Sequence, residues 1–214
     1  DFHAPLYPYP FMLPDAVHPD KEGAAVLAKT VYEGITGDFG GLQMPEIYTD
    51  NMVLQHGRLL TIQGKADAGE KVTVSIDRQQ LQAVTGADGK WAVDVRPLKA
   101  GGPYTLTVST EKRKLVYENV LAGEVWLCSG QSNMEMPMSG FDRQPTQGTN
   151  DVIAKAKAST PIRIYNTDSK DGKWIRQFSK TPEEDCKGEW LENTPVNVSH
   201  TSATAYFLAR YLQE

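Results

Sequence analysis

No apolar run among the 214 residues approaches the roughly 20 that a helix needs to span a bilayer. No leader-type segment opens the chain either, and its first residues read as the inside of a domain. Cysteine is scarce: Cys128 lies in an apolar run and Cys186 in a charged stretch. A disulfide is therefore not expected, and Cys128 reads as a small core residue. The four histidines, His3, His18, His56 and His200, are scattered and with the cysteines form no metal-ligand spacing. Neither a metal nor a cofactor is expected. Basic residues are outnumbered, 22 Lys and Arg against 27 Asp and Glu for a net charge of −5, and no basic stripe interleaves with aromatics. That argues against nucleic acid, and an anionic ligand needs a local cation to receive it. What remains is an ordinary apolar fraction of 40%, suited to one or two globular domains.

Three segments follow one another. Residues 1–40 open aromatic and proline-rich, then read as a helix from Asp20, which can cap the first turn. Ala24, Leu27, Ala28, Val31 and Ile35 form one apolar stripe, and Gly37 can end the helix. Residues 41–122 are β-rich. Val72–Ile76, Trp91–Val95 and Tyr104–Val108 alternate apolar and polar with period two, and Gly69, Asp88-Gly89 and Gly101-Gly102-Pro103 mark the turns between them. Further strands are expected at Glu46–Val53, Leu59–Gly64 and Lys114–Val120, which together suggest an antiparallel sandwich. Trp91 and Tyr104 fall on the apolar-alternating faces and read as core rather than as sugar-stacking platforms.

Residues 123–214 begin with the run Gly123-Glu-Val-Trp-Leu-Cys-Ser-Gly-Gln-Ser-Asn-Met134. Val125–Cys128, bounded by glycines, reads as a short buried strand that delivers Ser132 into a tight turn, with Gly130 supplying backbone freedom. A serine there has its hydroxyl exposed and its N–H free to donate to an oxyanion. Gly-x-Ser alone reads as a polar turn after a strand. A loop is expected over Pro137–Asn150, a short helix at Asp151–Ala158, a strand at Pro161–Tyr165 and a long loop carrying Trp174 and Trp190. A final helix capped by Ser199 should pack Ala203, Phe207 and Tyr211. Upstream, Asp15 and His18 stand three apart before the first helix. That spacing lets a carboxylate fix an imidazole tautomer so that the other ring nitrogen takes a proton from serine, and it also describes a solvated loop pair.

The string around Ser132 resembles the nucleophile block of sialate O-acetylesterases, a branch of the SGNH (GDSL-like) hydrolases. Met134 in place of glycine separates it from the Gly-x-Ser-x-Gly elbow. Asp50-Asn-Met-Val-Leu-Gln55, Gly69-Glu-Lys-Val-Thr-Val74, Ala87-Asp-Gly-Lys-Trp91 and Gly101-Gly-Pro-Tyr-Thr-Leu-Thr-Val108 resemble the β-domain that precedes the catalytic domain in that family. Thr201–Leu212 resembles a family helix that usually begins Phe-Ser-Ala. The resemblance implies a mixed fold, an antiparallel β-sandwich flanked by partial α/β three-layer SGNH segments. It makes Ser132 the nucleophile and an oxyanion donor, flanked by Gln131 and Asn133 at the substrate, and it makes Asp15 and His18 an Asp-x-x-His block.

The family runs from its serine block to its Asp-x-x-His block, the reverse of the order here. The simplest arrangement is a tandem of two esterases. Residues 1–40 then end the first domain, 41–122 form the β-domain, and 123–214 open the second, so that the segment holds an incomplete site and the activity belongs to a longer protein. The implied substrate is an O-acetylated sialic acid or related acetylated glycan, with Arg143 a candidate for its carboxylate, and the implied location is periplasmic or secreted. Two other functions stay open on the sequence: a carbohydrate-binding or structural β-module, and deacetylation of xylan or a similar polysaccharide.

Overall fold

The computed structural model describes residues 6, 12–13, 18–167, 169–170, 173–174 and 185–213. Helix α1 runs Lys21–Thr36, and both of its ends are set by the residues the sequence marks. The Asp20 carboxylate accepts from the Gly23 N–H at 2.8 Å, and Gly37, at φ 68°, donates its N–H back to the Glu33 carbonyl. The apolar stripe is a different matter. Gly23 is the buried residue of this helix, whereas Ala24 and Ala28 are exposed and Ile35 is 79% exposed. The pattern encodes a packing face, and no core among the described residues covers it.

Seven strands follow: β1 (Val53–Gln55), β2 (Leu60–Lys65), β3 (Lys71–Ile76), β4 (Gln79–Val84), β5 (Lys90–Val95), β6 (Gly101–Ser109) and β7 (Lys114–Gly123). One sheet has the order β1-β7-β6-β3-β4, and β2 pairs with β5. The ladders are antiparallel except for β1 with β7, which is parallel, so the larger sheet is mixed. The period-two alternation places Val72, Val74 and Ile76 of β3, Leu106 and Val108 of β6, and Trp91, Val93 and Val95 of β5 in one core. Fully burying each such Val, Leu or Ile is worth about 1.5–3 kcal/mol, which is what fixes the register. Trp91 is buried there, and Tyr104 packs on its edge with its hydroxyl donating to the Lys99 carbonyl at 2.9 Å. Gly64 on β2 is required by space. A Cβ there would stand 2.5 Å from the Gln43 carbonyl oxygen and 2.7 Å from the Trp91 ring.

Beyond β7 come the short helices α2 (Ser132–Glu135) and α3 (Asn150–Ala154), then β8 (Arg163–Tyr165), β9 (Ser169–Lys170), β10 (Lys173–Trp174) and β11 (Trp190–Glu192), and finally α4 (Pro195–Ser199) and α5 (Ala203–Tyr211). β8 pairs antiparallel with β11, and β9 with β10. A second core gathers Met138, Ala156, Ile162, Ile164, Val198, Ala203 and Tyr206. The cap of α5 is Ser202, not Ser199. Thr194 caps a separate helix that ends at Ser199, and the Ser202 hydroxyl accepts from Ala205 N–H. The buried face of α5 is Ala203 with Tyr206, while Phe207 and Tyr211 are exposed. Tyr206 lies about 60° from Ala203 on one side and Phe207 about 40° on the other, and the core sits on the Tyr206 side, which leaves Phe207 and Tyr211 toward solvent.

The two cores meet across a polar junction. Asn51 and Asn119 both take left-handed backbone angles, φ 66° and 54°. The Asn119 amide donates to Asn51 Oδ1 at 2.8 Å and to Glu192 Oε1 at 3.0 Å. Arg163, with only 4% of its side chain exposed, stands 3.6 Å from the same Glu192 oxygen. The Trp190 indole donates to the Ile47 carbonyl at 2.9 Å, and its ring tilts against Tyr165 at 5.3 Å. β8 and β11 are thereby bolted to the β-rich unit.

Candidate active site

The chain leaves the β-rich unit under tight control. Parallel pairing of Val53–Gln55 with Leu121–Gly123 is extended by His56 N–H donating to the Gly123 carbonyl at 3.0 Å. The Gln55 amide then reaches past the strand end, its oxygen accepting from Val125 N–H at 3.0 Å and its nitrogen donating to Glu124 at 3.2 Å. The His56 ring holds the other Glu124 oxygen at 2.8 Å. Hydrogen bonds from His56 and then Gln55 keep the Glu124 carboxyl below its ordinary value. This clasp sets the direction in which the segment toward Ser132 departs.

That segment is not the buried strand its composition suggests. β7 ends at Gly123, and the chain from Glu124 to Gly130 runs without a ladder partner. Trp126 is 60% and Leu127 95% exposed, and Cys128, a free thiol like Cys186, is on the surface instead of in a core. A run of apolar residues becomes a buried strand only when neighbouring strands and layers cover it, and the described residues supply none there. Gly130 also has a different role from the expected one. Its φ is not left-handed, but a Cβ would come within 3.0 Å of the Met134 Cβ. Close approach to the next turn, not backbone freedom, calls for glycine.

Ser132 is the first residue of α2 and is exposed. In that position its N–H has no intrahelical acceptor, and the hydroxyl and amide stand together at the head of a turn. The turn closes through Met134 and Glu135 N–H to the Gln131 carbonyl, at 2.8 and 3.0 Å, and Met136 N–H to the Ser132 carbonyl at 2.9 Å. Gln131 is the N-cap yet makes no side-chain cap bond. The turn rests on the beginning of α5. Ala203 N–H donates to the Met136 carbonyl at 2.8 Å, Met138 N–H to the Thr201 carbonyl at 2.8 Å, and Ser202 Oγ touches Met134 Sδ at 3.4 Å.

Among the other sequence candidates, Gln131 and Asn133 are exposed beside Ser132, and the Asn133 carbonyl accepts from the Thr204 hydroxyl at 3.1 Å. Arg143 takes a left-handed backbone angle, φ 60°, and pairs with its neighbour Asp142 at 3.7 Å, both side chains almost wholly in solvent. His18 is exposed ahead of α1, and Asp15 lies outside the described residues. Gln55, His56, Ser202 and Thr204 escaped sequence reasoning because their partners lie about 70 residues away in the chain. Among the described residues no cluster of His, Cys, Asp and Glu is arranged to hold a metal, and no helix is long and apolar enough to cross a membrane.

No family model matches the chain. Individual proteins do. It is 30% identical over 189 residues to the sialate O-acetylesterase of Rattus norvegicus and 29% identical over 184 residues to that of Mus musculus, in each case across 78% of this chain and 32% of the relative. The sialate O-acetylesterase of Homo sapiens is 33% identical over 107 residues, 45% of this chain and 20% of the relative. In structure the chain is similar to a carbohydrate acetylesterase from Xanthomonas citri, with a TM-score of 0.72 and 28% identity over 80% of this chain and 37% of that one. The chain thus spans about a third of the length of the curated relatives it matches. Sequence likeness that runs through most of the chain, together with a shared fold, places it in the sialate O-acetylesterase family.

Proposed function

We propose that this chain carries the nucleophile of a carbohydrate O-acetylesterase acting on O-acetylated sialic acids. The observation that carries the reading is the exposure of Ser132 at the head of α2, with its hydroxyl and its N–H on the same turn. Ser132 Oγ attacks the acetyl carbonyl as its proton passes to a histidine held by an aspartate, and the Ser132 N–H is one of the donors to the oxyanion. Collapse of the tetrahedral intermediate expels the sugar oxygen, which takes the proton back. Water then clears the acetyl group from serine by the same steps in reverse order. An acetylated carbohydrate substrate is consistent with the names of the relatives in both comparisons.

In this reading residues 123–214 open an SGNH-type three-layer domain, 41–122 are its preceding β-sandwich domain, and 1–40 end a separate esterase. His18 and Asp15 then serve that other domain, and the base for Ser132 comes from an Asp-x-x-His block of its own. The uncovered apolar stripe of α1 and the uncovered run Val125–Cys128 both support this, since each is patterned for a core that other parts of a longer protein supply. Export to the periplasm or outside the cell belongs to the same proposal and rests on family analogy.

The test is acetate release by the intact protein from O-acetylated sialic acid and from acetylated xylan, with fluorophosphonate labelling mapped by mass spectrometry. Labelling at Ser132, preference for the sialic acid ester and loss of at least about 10³-fold activity in Ser132→Ala are expected. Activity that survives Ser132→Ala overturns the nucleophile assignment. Preference for xylan overturns the substrate. Residues 1–214 alone are expected to hydrolyse an activated acetate ester at least about a thousandfold more slowly than the intact protein, and equal rates would refute the tandem arrangement.

A further inference from the structure

The turn that presents Ser132 has a gap in its own hydrogen bonding, and a single side chain from elsewhere in the chain fills it. α2 is one turn long, has no side-chain cap and buries none of its residues. An isolated turn of this length does not hold itself, because nucleation costs more than one or two bonds return. The Gln131 and Ser132 carbonyls are served by Met134, Glu135 and Met136. The Asn133 carbonyl would be served by the N–H four residues on, but that residue is Pro137, which has none. The donor comes instead from Thr204 in the first turn of α5, whose hydroxyl lies 3.1 Å from the Asn133 oxygen.

We propose that Thr204 is a positioning residue for Ser132, its hydroxyl replacing the backbone donor that Pro137 removes and so fixing the Asn133–Met134 peptide within the single turn that presents the nucleophile. The inference rests on the assignment of Ser132 under the proposed function. The arrangement is specific in chemistry as well as in place. Ala203 N–H and Ser202 Oγ secure the turn at Met136 and Met134, whereas Thr204 holds the Asn133–Met134 peptide, one residue on from Ser132. A rotation of that peptide shifts Asn133 and, through it, the backbone of Ser132, moving the hydroxyl that attacks the acyl carbon relative to the N–H that must face the oxyanion. Thr204 touches no reacting atom. Its loss therefore lowers the rate of acylation and leaves substrate affinity in place.

The experiment uses the intact protein with Thr204→Val, Thr204→Ala and Thr204→Ser, and Ser132→Ala as control, assayed for kcat and KM on an acetate ester and for the rate of fluorophosphonate labelling. Thr204→Val and Thr204→Ala are each expected to lower kcat and labelling by about tenfold with KM unchanged, the size of effect one hydrogen bond provides. Thr204→Ser, which keeps the hydroxyl, is expected to stay within about threefold of the starting protein, as one retained bond implies. The alanine variant guards against a folding defect, because alanine is the better helix former at an exposed position. Wild-type kcat in Thr204→Ala with Ser132→Ala inactive overturns the positioning role. So does an equal loss in Thr204→Ser and Thr204→Ala. Activity remaining in Ser132→Ala instead sinks the assignment on which the role depends.

Discussion

Replacing Glu192 by glutamine should destabilise the protein more than replacing the arginine it faces. Arg163 has 4% of its side chain exposed, and its Nε finds no partner. Burial pulls its pKa down, and the nearby Glu192 carboxylate pulls it partly back. At the observed 3.6 Å separation, two unit charges attract by roughly 4–5 kcal/mol at an effective dielectric of about 20. Glu192 is 35% exposed, so solvent screens part of that, and a net loss of about 2–3 kcal/mol is expected from Glu192→Gln. The substitution keeps the shape and an acceptor for Asn119, so the loss isolates the charge. Arg163→Met removes the buried charge and fills its volume, leaving Glu192 hydrated at the surface and still bonded to Asn119. That change should fall within about 1 kcal/mol of neutral. Urea unfolding followed by tryptophan fluorescence measures both, and the glutamine variant should melt about 5–10 °C lower. The reasoning is refuted if Glu192→Gln lies within about 0.5 kcal/mol of the starting protein, or if Arg163→Met is the worse of the two.

Three further expectations concern the β-rich unit and the clasp at its exit. Glu124 has its folded-state pKa lowered by His56 and Gln55, so its contribution is fully present above the ordinary carboxylate range and is lost as pH falls through the lowered value. Thermal melts from pH 7 down to 3 should show an acid-side loss that is smaller in Glu124→Gln, and parallel curves would contradict the clasp. Gly64→Ala forces a Cβ against the Gln43 carbonyl and the Trp91 ring, so a loss of at least about 3 kcal/mol or failure to fold is expected. Gly69→Ala, with open space but φ 76°, should cost about 1 kcal/mol by the same urea assay.

Local order decided what could be read in advance. Asp20 and Gly37 mark the ends of α1 because capping involves groups three or four residues apart. β3, β5 and β6 are legible because period-two alternation is itself the record of one buried face. β4 escapes the pattern because its ends invert it, with Gln79 buried and Val84 68% exposed, and β11 escapes it because its three residues gain their strand character only by pairing with β8. The expected strand at Glu46–Val53 shrank to Val53–Gln55. Asp50 accepts from Glu118 N–H and Asn51 takes a left-handed turn, which spends that stretch on the junction.

At the site the division is sharper. The string around Ser132 marks that serine as a candidate through its resemblance to a family block, and the residues that carry the resemblance are consecutive in the chain. Its surroundings were not available in the same way. Pro137 shows from sequence alone that the Asn133 carbonyl lacks its helical donor, but that Thr204 supplies one depends on α5 folding back across about 70 residues. The same holds for Gln55 and His56 at Glu124 and for Arg163 at Glu192. Short-range rules fix caps, alternation and turns, because the energies involved act between neighbours in the chain. Which side chain completes which turn is settled only when distant segments are packed together, since a hydrogen bond or ion pair carries no trace in the sequence that separates its partners.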